Sequence, residues 1–131
     1  MAAPNIASLT TITGKTTYLT PTGTSAVVLL PNAASSNKVF KINQIVAANV
    51  NGTNAVDCTV SIYTNGGVSQ GSAPSGGTAF PIASTISVPA DASLIIVDKT
   101  TGIYLEENTS IVVTSGTANA LTFTVSYEEM A

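Results

Sequence analysis

"ALTFTVSYEE", residues Ala120 to Glu129, puts Leu121, Phe123, Val125 and Tyr127 at alternate positions, with Thr122, Thr124, Ser126 and Glu128 between them. Successive side chains of an extended strand point to opposite faces, so this period of two predicts a strand with one buried and one wet face. "DCTVSIYT", Asp57 to Thr64, repeats the pattern, with Cys58, Val60 and Ile62 inward and Asp57, Thr59, Ser61 and Tyr63 outward. Further strands are expected at Thr16 to Thr20, Ala26 to Leu30, Lys38 to Val50, Thr85 to Val88, Ser93 to Asp98, Ile103 to Glu106 and Ser110 to Ser115. Helical spacing is almost absent. Eight or nine short strands punctuated by Gly, Pro, Asn and Asp predict an all-β fold, an antiparallel β-sandwich of jelly-roll or Ig-like kind.

Three segments between or within these strands carry more specific expectations. The apolar phase of Lys38 to Val50 changes near Gln44 and Ile45, which predicts a bulge or a strand that crosses from one sheet to the other. Asn51-Gly52 is a strong two-residue hairpin signal, since both residues tolerate positive φ. "TNGGVSQGSAPSGGT", Thr64 to Thr78, reads as a long low-complexity loop, either a contact loop or a mobile crossover.

The chain of 131 residues is expected to form a single domain, residues 1–131, around one core. Residues 1–13 are a candidate extended N-terminal arm, with Pro4, Ile6 and Leu9 as apolar anchors on a neighbouring molecule; a frayed terminus or a simple first strand is the equal alternative. Charged residues make up 8% of the chain, against about 25% in ordinary soluble domains. Threonine, serine and asparagine fill the deficit. A surface of neutral hydroxyls and amides is poorly defended against association, so a partner or further copies of the chain are expected to cover much of it. The formal charge of −3, with Lys15, Lys38, Lys41 and Lys99 as the basic residues, argues against a nucleic-acid partner. The longest apolar runs, Ala26 to Leu30 and Leu94 to Val97, fall far short of the roughly 20 residues that span a bilayer. "MAAPNIASLT" does not read as a secretory signal, so synthesis in a cytoplasm is expected. Cys58, the single cysteine, is expected in the core as a small apolar residue.

Catalytic and cofactor motifs are weighed against this background. The chain has no histidine, which removes Ser-His-Asp and Cys-His arrangements and the commonest zinc ligand together. "TGKTT", Thr13 to Thr17, ends like a phosphate-binding loop, but Leu9 stands where its first glycine is required and a β-like stretch follows. The sequon matches at Asn51 and Asn108 are attributed to chance in a chain rich in Asn, Ser and Thr. In "IYLEENTSI", Ile103 to Ile111, the adjacent Glu106 and Glu107 point to opposite faces of any strand that continues through both, and so cannot act as an acid and base pair on one atom. The stretch reads instead as a turn at Asn108 with its charge on the solvent side. A calcium site using Asp98, Glu106 and Glu107 is the one metal alternative, on a spacing that matches no established calcium loop. No enzyme, cofactor or metal function is expected.

"ISVPADASLIIVDKTTGIYLEENTSIVV" (Ile86 to Val113) resembles a stretch of small virion structural proteins of tailed bacteriophages, particularly those of cyanobacteria and other marine bacteria. "NKVFKINQIVAANVNGTNAVDCTVSIY" (Asn37 to Tyr63) and the C-terminal "VSYEE" are similar to the same proteins, together about half of the chain in order. The resemblance implies a β-sandwich displayed in repeated copies on the virion, on the head as a capsid decoration or cement protein, with glycine in place of Asn108 in relatives. Its implied partners are the major capsid protein or other virion proteins. Symmetric self-association is expected as well, a trimer being the form that shell symmetry axes invite. The rival expectation is a tail- or fibre-associated module that binds host surface glycans through the Thr64 to Thr78 loop, with Tyr63 and Tyr104 as stacking platforms. A third reading, an ice-binding face of threonine rows, fails because the threonines do not recur at a fixed repeat.

Overall fold

The computed structural model describes residues 4–131. Nine strands form two antiparallel sheets, as the alternating patterns predict. They are β1 (Ile12–Leu19), β2 (Val27–Asn32), β3 (Val39–Asn49), β4 (Val56–Tyr63), β5 (Ala79–Val88), β6 (Ser93–Val97), β7 (Ile103–Leu105), β8 (Thr109–Ser115) and β9 (Leu121–Met130). The first sheet runs β1-β9-β3-β6, with β7 also on β3, and the second runs β2-β8-β4-β5. β6 pairs with Ile45 to Ala48 and β7 with Phe40 to Ile42, so the two act as one edge strand broken by a 3-10 turn at Lys99–Thr101. With β6 and β7 counted as one, the eight strands fall in jelly-roll order, β4 and β5 following one another in the second sheet and all the other connections crossing between the sheets.

The core lies where the inward rows meet. Leu121, Phe123, Val125 and Tyr127 of β9 face Leu30, Val60, Ile111 and Val113 of the second sheet, and Phe123 and Val125 are fully buried. Phe40 and Tyr127 pack ring to ring with centroids 5.1 Å apart. Cys58 is buried in this core. Two buried asparagines join the sheets at opposite ends. Asn32 of β2 donates from Nδ2 to the carbonyls of Lys38 and Leu105, and its Oδ1 accepts from the Ser36 hydroxyl at 2.6 Å. Asn49 of β3 donates to the carbonyls of Asn54 and Val88, and its Oδ1 accepts from the Asn51 amide.

The bulge expected in the long third strand is present. The β3–β9 register shifts between Ile42 and Gln44, and the β3–β6 register between Ile45 and Val46. Both halves stay in the first sheet, so the strand bulges rather than crosses. Asn51-Gly52, by contrast, makes no hairpin, because β3 and β4 belong to different sheets. The connection turns instead on the Asn51 side chain, whose Oδ1 accepts from the amides of Thr53 and Asn54. β5 begins at Ala79, earlier than Thr85, because a sheet edge tolerates Pro81 and its missing donor. β1 begins at Ile12, and the amides of Thr10 and Thr11 donate to the Ala131 carbonyl. The last residues of the candidate arm, Thr10 to Thr13, therefore belong to the sandwich. Asn108 adopts φ 58°, the left-handed turn expected of it.

Candidate docking surfaces

The two sheets treat their outer faces differently. On the second sheet Val28, Val112 and Tyr63 form a small apolar cluster with Ala26 and Val68 packed against it. Val68 lies in the Thr64 to Thr78 segment, which folds back over this sheet. Gly71 donates to the Val28 carbonyl at 2.8 Å and Val28 donates to that of Ser72 at 2.9 Å, so the segment also occupies the free edge of β2. Gln70 Nε2 bonds Thr17 Oγ1 and the Leu29 carbonyl, each at 2.9 Å, and thereby ties β1 of one sheet to β2 of the other. Gly66 sits so close to the backbone that a Cβ there would lie 2.0 Å from the Asn32 carbonyl oxygen. This segment is an integral cover.

The burial of Tyr63 follows from that cover. Expected outward and exposed, its side chain is 8% exposed, and its hydroxyl accepts from the Gly77 amide at 3.0 Å. Outward from the core here means inward to the loop. Ser61 and Ser110 are buried on the same face, and the Ser110 hydroxyl donates to the Asn65 carbonyl.

Among the described residues, the outer face of the first sheet carries no comparable cover. Cross-strand register builds it in rows: Tyr18, Thr124, Val46 and Ile95 form one, and Thr16, Ser126 and Gln44 the next. Glu128, Lys41 and Tyr104 make a third. Tyr18 is 70% exposed, Ile95 57% and Tyr104 48%. Thr16 and Ser126 hydroxyls bond each other at 3.2 Å, and Thr20 and Thr122 at 2.9 Å, so neighbouring hydroxyls satisfy one another across strands. The result is a pleated surface of hydroxyls with aromatic and aliphatic side chains between them.

The other candidate residues scatter. Ile6 is exposed in a 3-10 turn at Ile6–Ser8, and Pro4 and Leu9 are half-buried. Ala2 and Ala3 of the candidate arm lie outside the described residues. Tyr104 and Tyr63 stand on different sheets, so they do not form one stacking platform. Glu106 is exposed, whereas both carboxylate oxygens of Glu107 are buried without a hydrogen-bond partner among the described residues. The expectation of both charges on the solvent side holds for Glu106 alone.

Asp98 caps the 3-10 turn between β6 and β7. Its Oδ1 accepts from the Thr100 hydroxyl at 2.6 Å and from the amides of Thr100 and Thr101, which hold its carboxyl below the usual range. Among the described residues no three of His, Cys, Asp and Glu are grouped to hold a metal ion. Two clefts lie near these residues. One of about 270 Å³ opens between the sheets beside Gln70, Phe40 and Tyr127, with Glu129 at its rim taking Lys15 at 3.3 Å and Lys38 at 3.4 Å. Burial raises the Tyr127 hydroxyl above its usual pKa. The other, of about 370 Å³, lies beside Asn43, Gln44 and Asp98, where the β3 bulge meets the 3-10 turn. Compared with family models, curated proteins and solved structures, the chain gives no match.

Proposed function

We propose that the protein is a non-enzymatic structural component of a tailed-phage virion, a decoration or cement protein that binds the assembled shell. The observation that carries this reading is the asymmetry of the two outer faces. One is closed by the chain's own loop, and the other is left as a broad, largely neutral surface with Tyr18, Ile95 and Tyr104 exposed. Such a face suits a flat protein partner: aromatic side chains supply contact area at low entropic cost, and neutral hydroxyls desolvate more cheaply than charges. The jelly-roll winding is shared by viral capsid and lectin domains, so the fold supports this reading and a sugar-binding one alike. Tyr63 separates them, because its burial removes one of the two stacking platforms on which sugar binding depends. The shell reading is therefore preferred.

Binding to assembled shell and not to free subunits would stabilise the particle in proportion to occupancy. A copy that bridges neighbouring subunits gains further through effective concentration. The test is quantitative mass spectrometry of purified particles. Copy number comparable to that of the major shell protein, with loss of particle thermal stability when the chain is removed, is the expected result. A few copies per particle would move the protein to the tail or a vertex, and absence from particles would end the virion assignment.

A further inference from the structure

The β5 and β6 side of the sandwich is where the interior reaches the surface. Phe80 pairs with Ile62 and Ile86 with Cys58, so both stand in inward-facing rows, yet they are 59% and 42% exposed. Ile82 sits at the register shift between Ala83 and Pro81 and is 42% exposed. On the opposite side the Gln70 bonds close the gap between β1 and β2.

The four sheet edges are defended unequally. β2 is occupied by residues 70–72, β1 carries Gly14 and Lys15, and β6 has five residues. β5 has ten residues, of which Ala83 and Val88 alone are buried, and no charged residue occurs anywhere from Thr64 to Ala90. A long uncharged apolar edge is an association site.

We propose that this β5 flank is the contact surface for a second copy of the same chain, related to the first by a two-fold axis. Charge selects that occupant. A partner seated over Phe80, Ile82 and Ile86 must bring no unpaired charge, since burying one against apolar side chains is costly. The net charge of −3 opposes self-association, and the charge-free stretch is where two copies meet with least repulsion. A two-fold contact makes the patch its own complement, whereas a three-fold one would need a second, different patch. Side chains rather than a continued sheet make the contact, because Pro81, the register shifts and Thr85 at φ 47° break the row of free backbone groups. A ten-residue strand about 33 Å long, beside sheets about 10 Å apart, offers about 330 Å² per copy. That is under half of the roughly 800 Å² per partner typical of stable complexes, so the dimer is weak and reversible.

The test uses the isolated chain and so stands or falls apart from the virion assignment. In sedimentation velocity between about 10 µM and about 1 mM, the wild type is expected to show a weight-average sedimentation coefficient that rises with concentration. The Phe80→Thr, Ile82→Thr double variant is expected to stay at the monomer value with an unchanged melting temperature, while Ile95→Thr on the open face still associates. A wild type that remains monomeric, or a double variant that associates like it, overturns the proposal. Should the double variant not fold, Ser84→Cys near the middle of β5 gives a second readout, since Cys58 is buried and its thiol is pushed up to about 11. Faster oxidative cross-linking than an exposed Thr117→Cys control supports the two-fold contact, and equal rates overturn it.

Discussion

Asn32 and Asn49 hold the sheets together by side-chain amides that reach backbone carbonyls of the opposite sheet. Replacing Asn49 by Ala strips the Val88 and Asn54 carbonyls of a donor and the Asn51 amide of an acceptor. At about 1–3 kcal/mol for a buried group left unpaired, in full for the Val88 carbonyl and in small part for the two part-buried bonds that water can replace, the expected loss is about 2–4 kcal/mol, read as a lower denaturant midpoint. Asn49→Asp, which keeps the acceptor but sets a buried carboxylate against the two carbonyl oxygens, should cost at least as much. Cys58 supplies a pH dependence. Burial raises its thiol from 9.0 to about 11, so the native state favours the protonated form. A raised pKa gives stability that is complete below the unfolded value and is lost as pH rises through the folded one. Melting temperature should therefore decline between pH 9 and about 11 in the wild type more than in Cys58→Ala. At about 1.4 kcal/mol per pH unit the difference has an upper limit of about 3 kcal/mol. Cys58 was legible in the sequence because its place in a period-two pattern fixes its face. Neither asparagine was, since asparagine near a strand end signals a turn, and nothing local tells which carbonyl lies across the core.

At the scale of elements, legibility follows alternation. β9 reads clearly because its alternate residues are buried, β8 reads as a short apolar run buried on both faces, and the β3 bulge was visible as a break in apolar phase. Two elements were misjudged for one physical reason: local pattern does not tell what the rest of the chain lays against a segment. Asn51-Gly52 predicts a hairpin when its flanking strands share a sheet, but a jelly-roll winding sends β3 and β4 to different ones. Tyr63 alternates correctly yet is buried, because the segment that follows returns over it. That segment offers its own prediction. A Cβ at Gly66 would meet the backbone oxygens of Asn32 and Thr109 at 2.0 and 2.8 Å, and backbone cannot give way as a side chain can. Gly66→Ala should destabilise by about 2–3 kcal/mol and raise proteolysis between Gly66 and Gly77, whereas Gly71→Ala, which meets open space at φ 86°, should cost less. Limited proteolysis with mass mapping would show both, and equal cleavage in the two variants would contradict the role of the Asn32 contact.

For the whole molecule, the proposed division of labour gives the open face to the shell and the β5 flank to a neighbouring copy. Tyr18→Asp and Ile95→Asp place charge on the open face at 70% and 57% exposed positions, where the fold itself should lose less than about 1 kcal/mol. Each is expected to weaken shell binding at least tenfold in a particle co-sedimentation assay while leaving the melting temperature within a few degrees. Charge at Thr22, exposed in the turn before β2, should leave binding unchanged. Binding that tolerates both substitutions would shift the contact to the N-terminal residues Pro4, Ile6 and Leu9.

β1 pairs with β9 along its whole length, Ile12 opposite Met130 at one end and Leu19 opposite Phe123 at the other. The first strand of the sandwich thus waits for the last. β3 likewise takes β9 as a partner, so the first sheet is incomplete until β9 is in place. Loop closure between Ile12 and Met130 makes folding slow for a domain of this size, in the roughly millisecond to second range typical of β-sandwiches. During that interval the uncharged, apolar β5 segment is unprotected. A cell making many copies at once therefore risks aggregation at this segment before folding ends, and low temperature during expression should raise the soluble yield.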